Sequence, residues 1–378
     1  MRSTRWLLAL LLAGLWHPPA AAHHPDKLDR INQCLAGRIV DHTNNHGADH
    51  RLWSPALQAW KDLYVYLPPE FDPARCYPVM LWLHGFREGA GSMLDHVARP
   101  IDQAIVAGRL PPIILAAAAA NTKDKPGLFC PPTFYVNSNA GNYEDYIIQD
   151  VWGFLVSHYP IRPEREAHVI AGFSMGGFGA YNLGFKHPEL FKVILGFCPP
   201  VNMRWVDCNG NYQADFNPCC WGWRTQVDRG HEVIGRVFGG VVTVRLKRLI
   251  DPLYGRERGP QALDAIIREN PIEMIDRLGV REGLYAMYVA YGGRDEYNID
   301  AQVESFLYLA RERGLTVGVS FEPKGRHSMT GTGAHLFPEV IAWLGPLLAP
   351  FGPTGAPESF PPLHPGPPFQ NIPSGGLP

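Results

Sequence analysis

Charge is scarce in this chain. Only 19% of its 378 residues are Asp, Glu, Lys or Arg, and 34 basic against 36 acidic side chains leave a formal net charge of −2. Without a cationic excess there is no electrostatic footprint for a phosphate backbone or an anionic membrane surface, so nucleic acid is not an expected partner. Cysteine is sparse as well. The seven are Cys34, Cys76, Cys130, Cys198, Cys208, Cys219 and Cys220. No C-x-x-C pair occurs among them, which argues against a structural zinc centre, and no cofactor or metal is expected. An odd count leaves at least one thiol unpaired or bridged between chains. Cys208 is expected to pair with Cys219 or Cys220, which share its loop-rich stretch. No internal repeat is present, and beyond the N-terminus no segment is expected to cross a membrane. What remains is a 46% hydrophobic chain with 39 glycines and 36 prolines, enough for a large core joined by many loops.

The two ends read differently from the middle. Residues 1–22 carry Arg2 and Arg5, an apolar run from Trp6 to Trp16, and Ala20, Ala21 and Ala22 before His23. That is the pattern of a cleaved secretory signal, so the mature chain is expected to be secreted or periplasmic, with no membrane attachment after cleavage. Residues 350–378 are rich in proline and glycine and predict a disordered tail. The catalytic body then covers residues 23–349.

Within it, apolar strand-like runs alternate with helical stretches. The runs are Leu63–Leu67, Tyr77–Leu83, Ile113–Ala120, Ala167–Phe173, Phe191–Phe197, Leu284–Tyr291 and Thr316–Phe321. Helices are expected over Ser92–Ala107, disturbed by Pro100, and over Tyr143–His158, Ala301–Gly314 and Leu336–Leu348. This alternation predicts a mostly parallel sheet covered by helices on both faces. The pattern stops over residues 200–280, where tryptophans and cysteines crowd a loop-rich stretch, and a lid-like insertion above the strand ends is expected. His42, His46 and His50 recur every fourth residue, but Asn44, Asn45 and Gly47 are turn formers, so exposed histidines around a turn are expected rather than a metal-binding helix face. Asp207, Asn209 and Asn211 read as an Asx-rich turn; the full spacing of a calcium loop is missing.

One stretch organises the rest. Gly172, Ser174 and Gly176 give G-x-S-x-G where a β-branched strand turns into a helix of small residues. A serine on such a sharp turn is pushed out of the sheet, and the helix start behind it aims backbone N–H groups at any nearby anion. In an open parallel sheet, chemistry gathers at the carboxyl ends of the strands. Three such ends carry Ser174, Asp295 and His327, in the order nucleophile, acid, base expected of an α/β-hydrolase. The imidazole of His327 can take the serine proton at neutral pH, and Asp295 can orient it. Glu296 and Asp300 are rival acids, and His335 is a rival base. Oxyanion donors are expected from the amide of Met175, directly after the serine, and from that of Phe86 in the His84-Gly85-Phe86 loop.

Three segments carry a family resemblance: Leu63 to Asp72, Tyr77 to Phe86, and Ala171 to Ala180. They resemble the esterase D-type family of α/β-hydrolases, whose members include S-formylglutathione hydrolases, feruloyl and acetylxylan esterases and mycolyltransferases. The resemblance runs from about Ser54 to Leu348 apart from the insertion. It implies an α/β-hydrolase fold, Ser174, Asp295 and His327 as catalytic residues, and Phe86 and Met175 as oxyanion donors. The segment around His327 departs from the family pattern, with Arg326 before the histidine and Ser328 after it. The expected function is a secreted serine carboxylic ester hydrolase acting on a small-molecule or carbohydrate-linked ester. The alternatives are an acyltransferase using the same acyl-enzyme, a non-catalytic binding protein on the same fold, and a serine peptidase.

Overall fold

In a computed structural model, residues 27–122, 130–227, 231–237, 242–256 and 259–355 are described. The signal-like segment 1–22 lies outside them. Eight strands form the central sheet: β1 (Arg38–His42), β2 (Leu63–Leu67), β3 (Val79–Leu83), β4 (Ile114–Ala118), β5 (His168–Phe173), β6 (Val193–Phe197), β7 (Ala286–Gly292) and β8 (Val317–Glu322). Their spatial order is β1-β2-β4-β3-β5-β6-β7-β8. Only β2 runs against the others, pairing antiparallel with both β1 and β4.

Every residue of β2 to β6 is buried, which is why these strands read as continuous apolar runs. Successive side chains still alternate between two cores. Leu63, Val65, Leu81, Ile170, Ile194 and Val289 face one, with Tyr146, Trp152, Tyr181 and Phe306 packed over them. Tyr64, Tyr66, Trp82, Val169, Leu195 and Ala290 face the other, beneath Ile101, Leu336, Phe337 and Leu344. The helices that supply these layers are α1 (Ala98–Val106), α2 (Trp152–His158), α3 (Met175–Lys186), α7 (Ile299–Glu312) and α8 (Ala334–Leu348). Helices α4 (Lys247–Tyr254), α5 (Pro260–Glu269) and α6 (Pro271–Arg277) belong to the insertion between β6 and β7.

That insertion has a small core of its own, in which Trp205, Tyr212, Ile234, Leu246, Ile250 and Ile266 pack together. Cys208 is bonded to Cys220, one of the two partners expected for it. The Asp207 carboxylate accepts hydrogen bonds from the Asn209 and Asn211 amides, as an Asx-rich turn requires.

Two expectations need correction. His42 and His46 are half-buried, held by the hydroxyls of Tyr159 and Tyr64 at 2.6 and 3.1 Å. The chain does not loosen at residue 350, because Thr354 pairs with Cys76 and Arg162 donates to the Gly352 carbonyl; residues 356–378 lie outside the described ones. The continuous helical stretch Met329–Phe351 is long and apolar enough by length and composition to cross a membrane. Its apolar side is instead occupied by the sheet: Phe337 stacks on Phe197 and Trp343 meets Tyr288.

Candidate active site

The turn after β5 is built by what its glycines exclude. A Cβ on Gly176 would sit 1.9 Å from the Leu83 carbonyl oxygen, and one on Gly172 would sit 2.4 Å from Gly176. Neither position tolerates any other side chain without moving β3. Between them Ser174 is held at φ 53°, ψ −117°, a strained conformation for a residue with a Cβ, and its amide donates to the Phe197 carbonyl at 2.8 Å. The hydroxyl is thereby lifted clear of the sheet at the start of α3.

Glycines also bring the other two strand ends together. Gly292 and Gly325 meet backbone to backbone, where a Cβ on Gly292 would approach Gly325 to 2.4 Å. The Gly293 amide donates to the Glu322 carbonyl and the Arg294 amide to the Gly325 carbonyl, both at 2.9 Å. This stitching sets Asp295 beside His327. Asp295 Oδ2 lies 2.6 Å from His327 Nδ1, and His327 Nε2 lies 2.8 Å from Ser174 Oγ. The three residues picked from the sequence therefore form one continuous hydrogen-bonded chain. The Asp295 side chain is 1% exposed, and its second oxygen accepts from the Tyr297 amide at 2.9 Å. Burial of the His327 ring opposes its protonation, but the Asp295 carboxylate outweighs burial and raises the pKa. Phe173 and Tyr297 flank the ring at 5.1 and 4.8 Å between centroids, which limits its tilt.

The rivals are placed elsewhere. His335 is bonded to Glu322 at 2.6 Å and is largely exposed. Glu296 does not reach the imidazole side chain; it accepts from the His327 backbone amide at 2.8 Å and from Arg326 Nε at 2.7 Å. Asp300 is half-buried, and burial with the nearby Asp295 charge pushes its pKa up to about 6.

Phe86 and Met175 both line the cavity of about 370 Å³ that opens on Ser174 and His327. The loop carrying Phe86 is braced from below. His84 is fully enclosed, and burial lowers its pKa to about 4, so the ring is neutral. Its Nε2 accepts from the Ala120 amide and its Nδ1 donates to the Gly85 carbonyl. Glu88 Oε2 accepts from the Gly85 amide at 2.8 Å. This brace has a sequence signal in hindsight, a carboxylate three residues after a glycine in a strand-end loop. Cys198 is another residue that sequence reasoning passed over. It is 1% exposed, adopts φ 43° at the end of β6, and its sulfur lies within 4.8 Å of ligand atoms of Asp295 and His327. These three could offer a soft divalent cation S, N and O donors, although the imidazole is already committed to Asp295 and Ser174.

The insertion closes over this end of the sheet. The Arg236 amide donates to the Glu296 carbonyl at 3.1 Å, Tyr212 Oη to the Tyr297 carbonyl at 2.6 Å, and Asn298 Nδ2 to the Ala214 carbonyl at 3.0 Å. The segment that supplies the cavity roof is thus tied to the loop that supplies Asp295.

Comparison with known proteins shows what the chain is similar to. The Esterase family model matches residues 54–343. Over 179 residues the chain is 29% identical to Esterase Rv1288 of Mycobacterium tuberculosis, covering 44% of this chain and 36% of that protein. Over 172 residues it is 27% identical to endo-1,4-beta-xylanase Y of Acetivibrio thermocellus, covering 44% of this chain and 14% of that one. The chain thus spans little more than a third, or less, of the length of these relatives. Among solved structures, a ferulic acid esterase superposes with TM-score 0.59 at 17% identity, covering 83% of this chain and 99% of the other. An S-formylglutathione hydrolase from Agrobacterium tumefaciens gives 0.56 at 14%, covering 83% and 96%. Likenesses at such low identity speak for the fold, which is that of the α/β-hydrolases. From the family match across most of its length, the chain belongs to the Esterase family.

Proposed function

We propose that this chain is a secreted serine carboxylic ester hydrolase working through an acyl-enzyme. The observation that carries the reading is the unbroken hydrogen-bonded path from Asp295 through His327 to Ser174. Ser174 Oγ attacks the ester carbonyl carbon while its proton passes to His327 Nε2. The carbonyl oxygen becomes an oxyanion, held by the backbone N–H groups of Met175 and Phe86. As the carbon–alkoxy bond breaks, His327 returns the proton to the leaving alcohol. Water then repeats the cycle on the acyl-enzyme, releasing the acid and Ser174. Asp295 stays ionised throughout and stabilises the imidazolium in each half-reaction. The Cys208–Cys220 disulfide supports an oxidising destination, in line with the signal-like residues 1–22. The substrate fits a small ester carried into the cavity beneath the insertion, which acts as a lid over the catalytic body of residues 23–349.

The test is kinetic. Ser174→Ala should lower kcat on a short-chain aryl ester by about 10⁴-fold or more while the midpoint of thermal unfolding stays nearly unchanged. Activity retained in the variant removes Ser174 from the mechanism.

A further inference from the structure

Two residues that line the cavity hold buried polar atoms with no partner among the described residues. Arg224 is 7% exposed and lines the cavity with Ser174 and His327. It also lines a smaller cavity of about 250 Å³ on its other side, where Glu232 pairs with its Nη1. Its guanidinium lies 5.6 Å from the Tyr212 ring centroid. Among the described residues, neither Nε nor Nη2 of Arg224 has a hydrogen-bond partner. Buried donors on a charged group are costly to leave unpaired, so a vacant edge on a guanidinium calls for an explanation. The vacant edge is also the one of most use to a ligand. Nε–H and the adjacent Nη2–H run in parallel and match the two oxygens of a carboxylate.

The surroundings favour an anion there. Arg87 and Arg248 line the same cavity, whose one acidic side chain among the described residues is Glu88, already engaged with the Gly85 amide. The rest of the lining is mostly apolar, with Phe86, Phe134, Met203, Val244 and Leu249 among it. Gln302 adds a third unmatched atom, an acceptor that calls for a donor on the ligand. Its Nε2 donates to Tyr212 Oη at 2.9 Å, and its Oε1, buried in the same lining, has no partner among the described residues.

We infer that the substrate carries a carboxylate separated from the scissile ester by an apolar spacer, and that Arg224 receives this carboxylate through its Nε–Nη2 edge. The inference rests on the serine hydrolase reading of the site. It assigns specificity to the insertion, which supplies Arg224, Arg248 and much of the apolar lining.

The experiment compares matched esters, each in a series of spacer lengths. One set consists of nitrophenyl esters of ω-carboxyalkanoic acids against their ω-carboxamide counterparts. The other consists of acetate esters of ω-hydroxy acids against the corresponding amides. In one set the carboxylate compound should have kcat/KM higher by about tenfold or more, as expected for charge-assisted hydrogen bonds. Arg224→Gln should bring that ratio close to one, with Arg224→Lys between. Arg248→Gln, at a second arginine of the same lining, should reduce it in part. No preference for the carboxylate in either set, or a preference that survives Arg224→Gln, overturns the inference. Loss of turnover on every ester, together with failure of a fluorophosphonate to label Ser174, overturns the hydrolase reading itself and this one with it.

Discussion

At the scale of single residues, the chemistry depends on how an imidazole is held. His327 is fixed at both ring nitrogens, flanked by Phe173 and Tyr297, and anchored through its own amide by Glu296. A base acts only when unprotonated, so kcat/KM should fall as pH drops through the His327 pKa, which the Asp295 carboxylate holds above the ordinary value of 6.5. Asp295→Asn removes the charge that favours the imidazolium. The acid limb should therefore move to lower pH, while the plateau falls by about 10⁴-fold. A limb that stays in place, or moves upward, would mean that Asp295 does not set the proton affinity of the base. All three of these side chains were legible from their positions after strand-like runs and from the order Ser, Asp, His. Glu88 and Glu296 were not read in their observed roles, because each acts on a backbone amide, and side-chain patterning marks such contacts at most by a spacing such as Gly85 to Glu88.

At the scale of elements, α3 carries the serine at one end and a charge network at the other. Lys186 bonds Glu144 and Glu269, both at 2.6 Å, and His187 lies between Glu144 at 3.1 Å and Glu189 at 3.3 Å. The network ties α3 to the helical segment before α2 and to α5 of the insertion. Burial lowers the His187 pKa, but the two glutamates more than offset it and push it up to about 8. A folded-state value above the unfolded 6.5 means that this stabilisation is complete below pH 6.5 and is lost as pH rises through about 8. The amount is about 2 kcal/mol, from the size of the shift. Urea unfolding should show stability declining across that window, and His187→Asn should flatten the decline. Equal slopes in both proteins would dismiss the network as a source of stability.

The element boundaries themselves were mostly visible, since apolar runs closed by glycine or proline mark strand ends. The helix expected over Ser92–Ala107 is broken at Val97 into two pieces, three residues before Pro100, in keeping with a ring that cannot accept the preceding turn. What sequence could not show was the insertion's architecture. Its hairpins and helices hold a core of their own and are pinned to the Asp295 loop by contacts between residues far apart in the chain.

At the scale of the whole molecule, the sheet is a rigid platform whose carboxyl edge presents a hydroxyl, an imidazole and a carboxylate. Described residues of the insertion, among them Met203, Tyr212, Arg224, Val244 and Leu249, line the cavity at that edge. Family and fold follow from the sheet order and the match over residues 54–343. Activity depends on whether Ser174 is activated. The most direct measurement is intact-mass and peptide mapping after exposure to a fluorophosphonate, with the native chain and His327→Ala in parallel. The native chain should carry a single adduct on Ser174, formed far more slowly in the variant. No adduct, an adduct on another residue, or equal rates in the two proteins would contradict activation of Ser174 by His327.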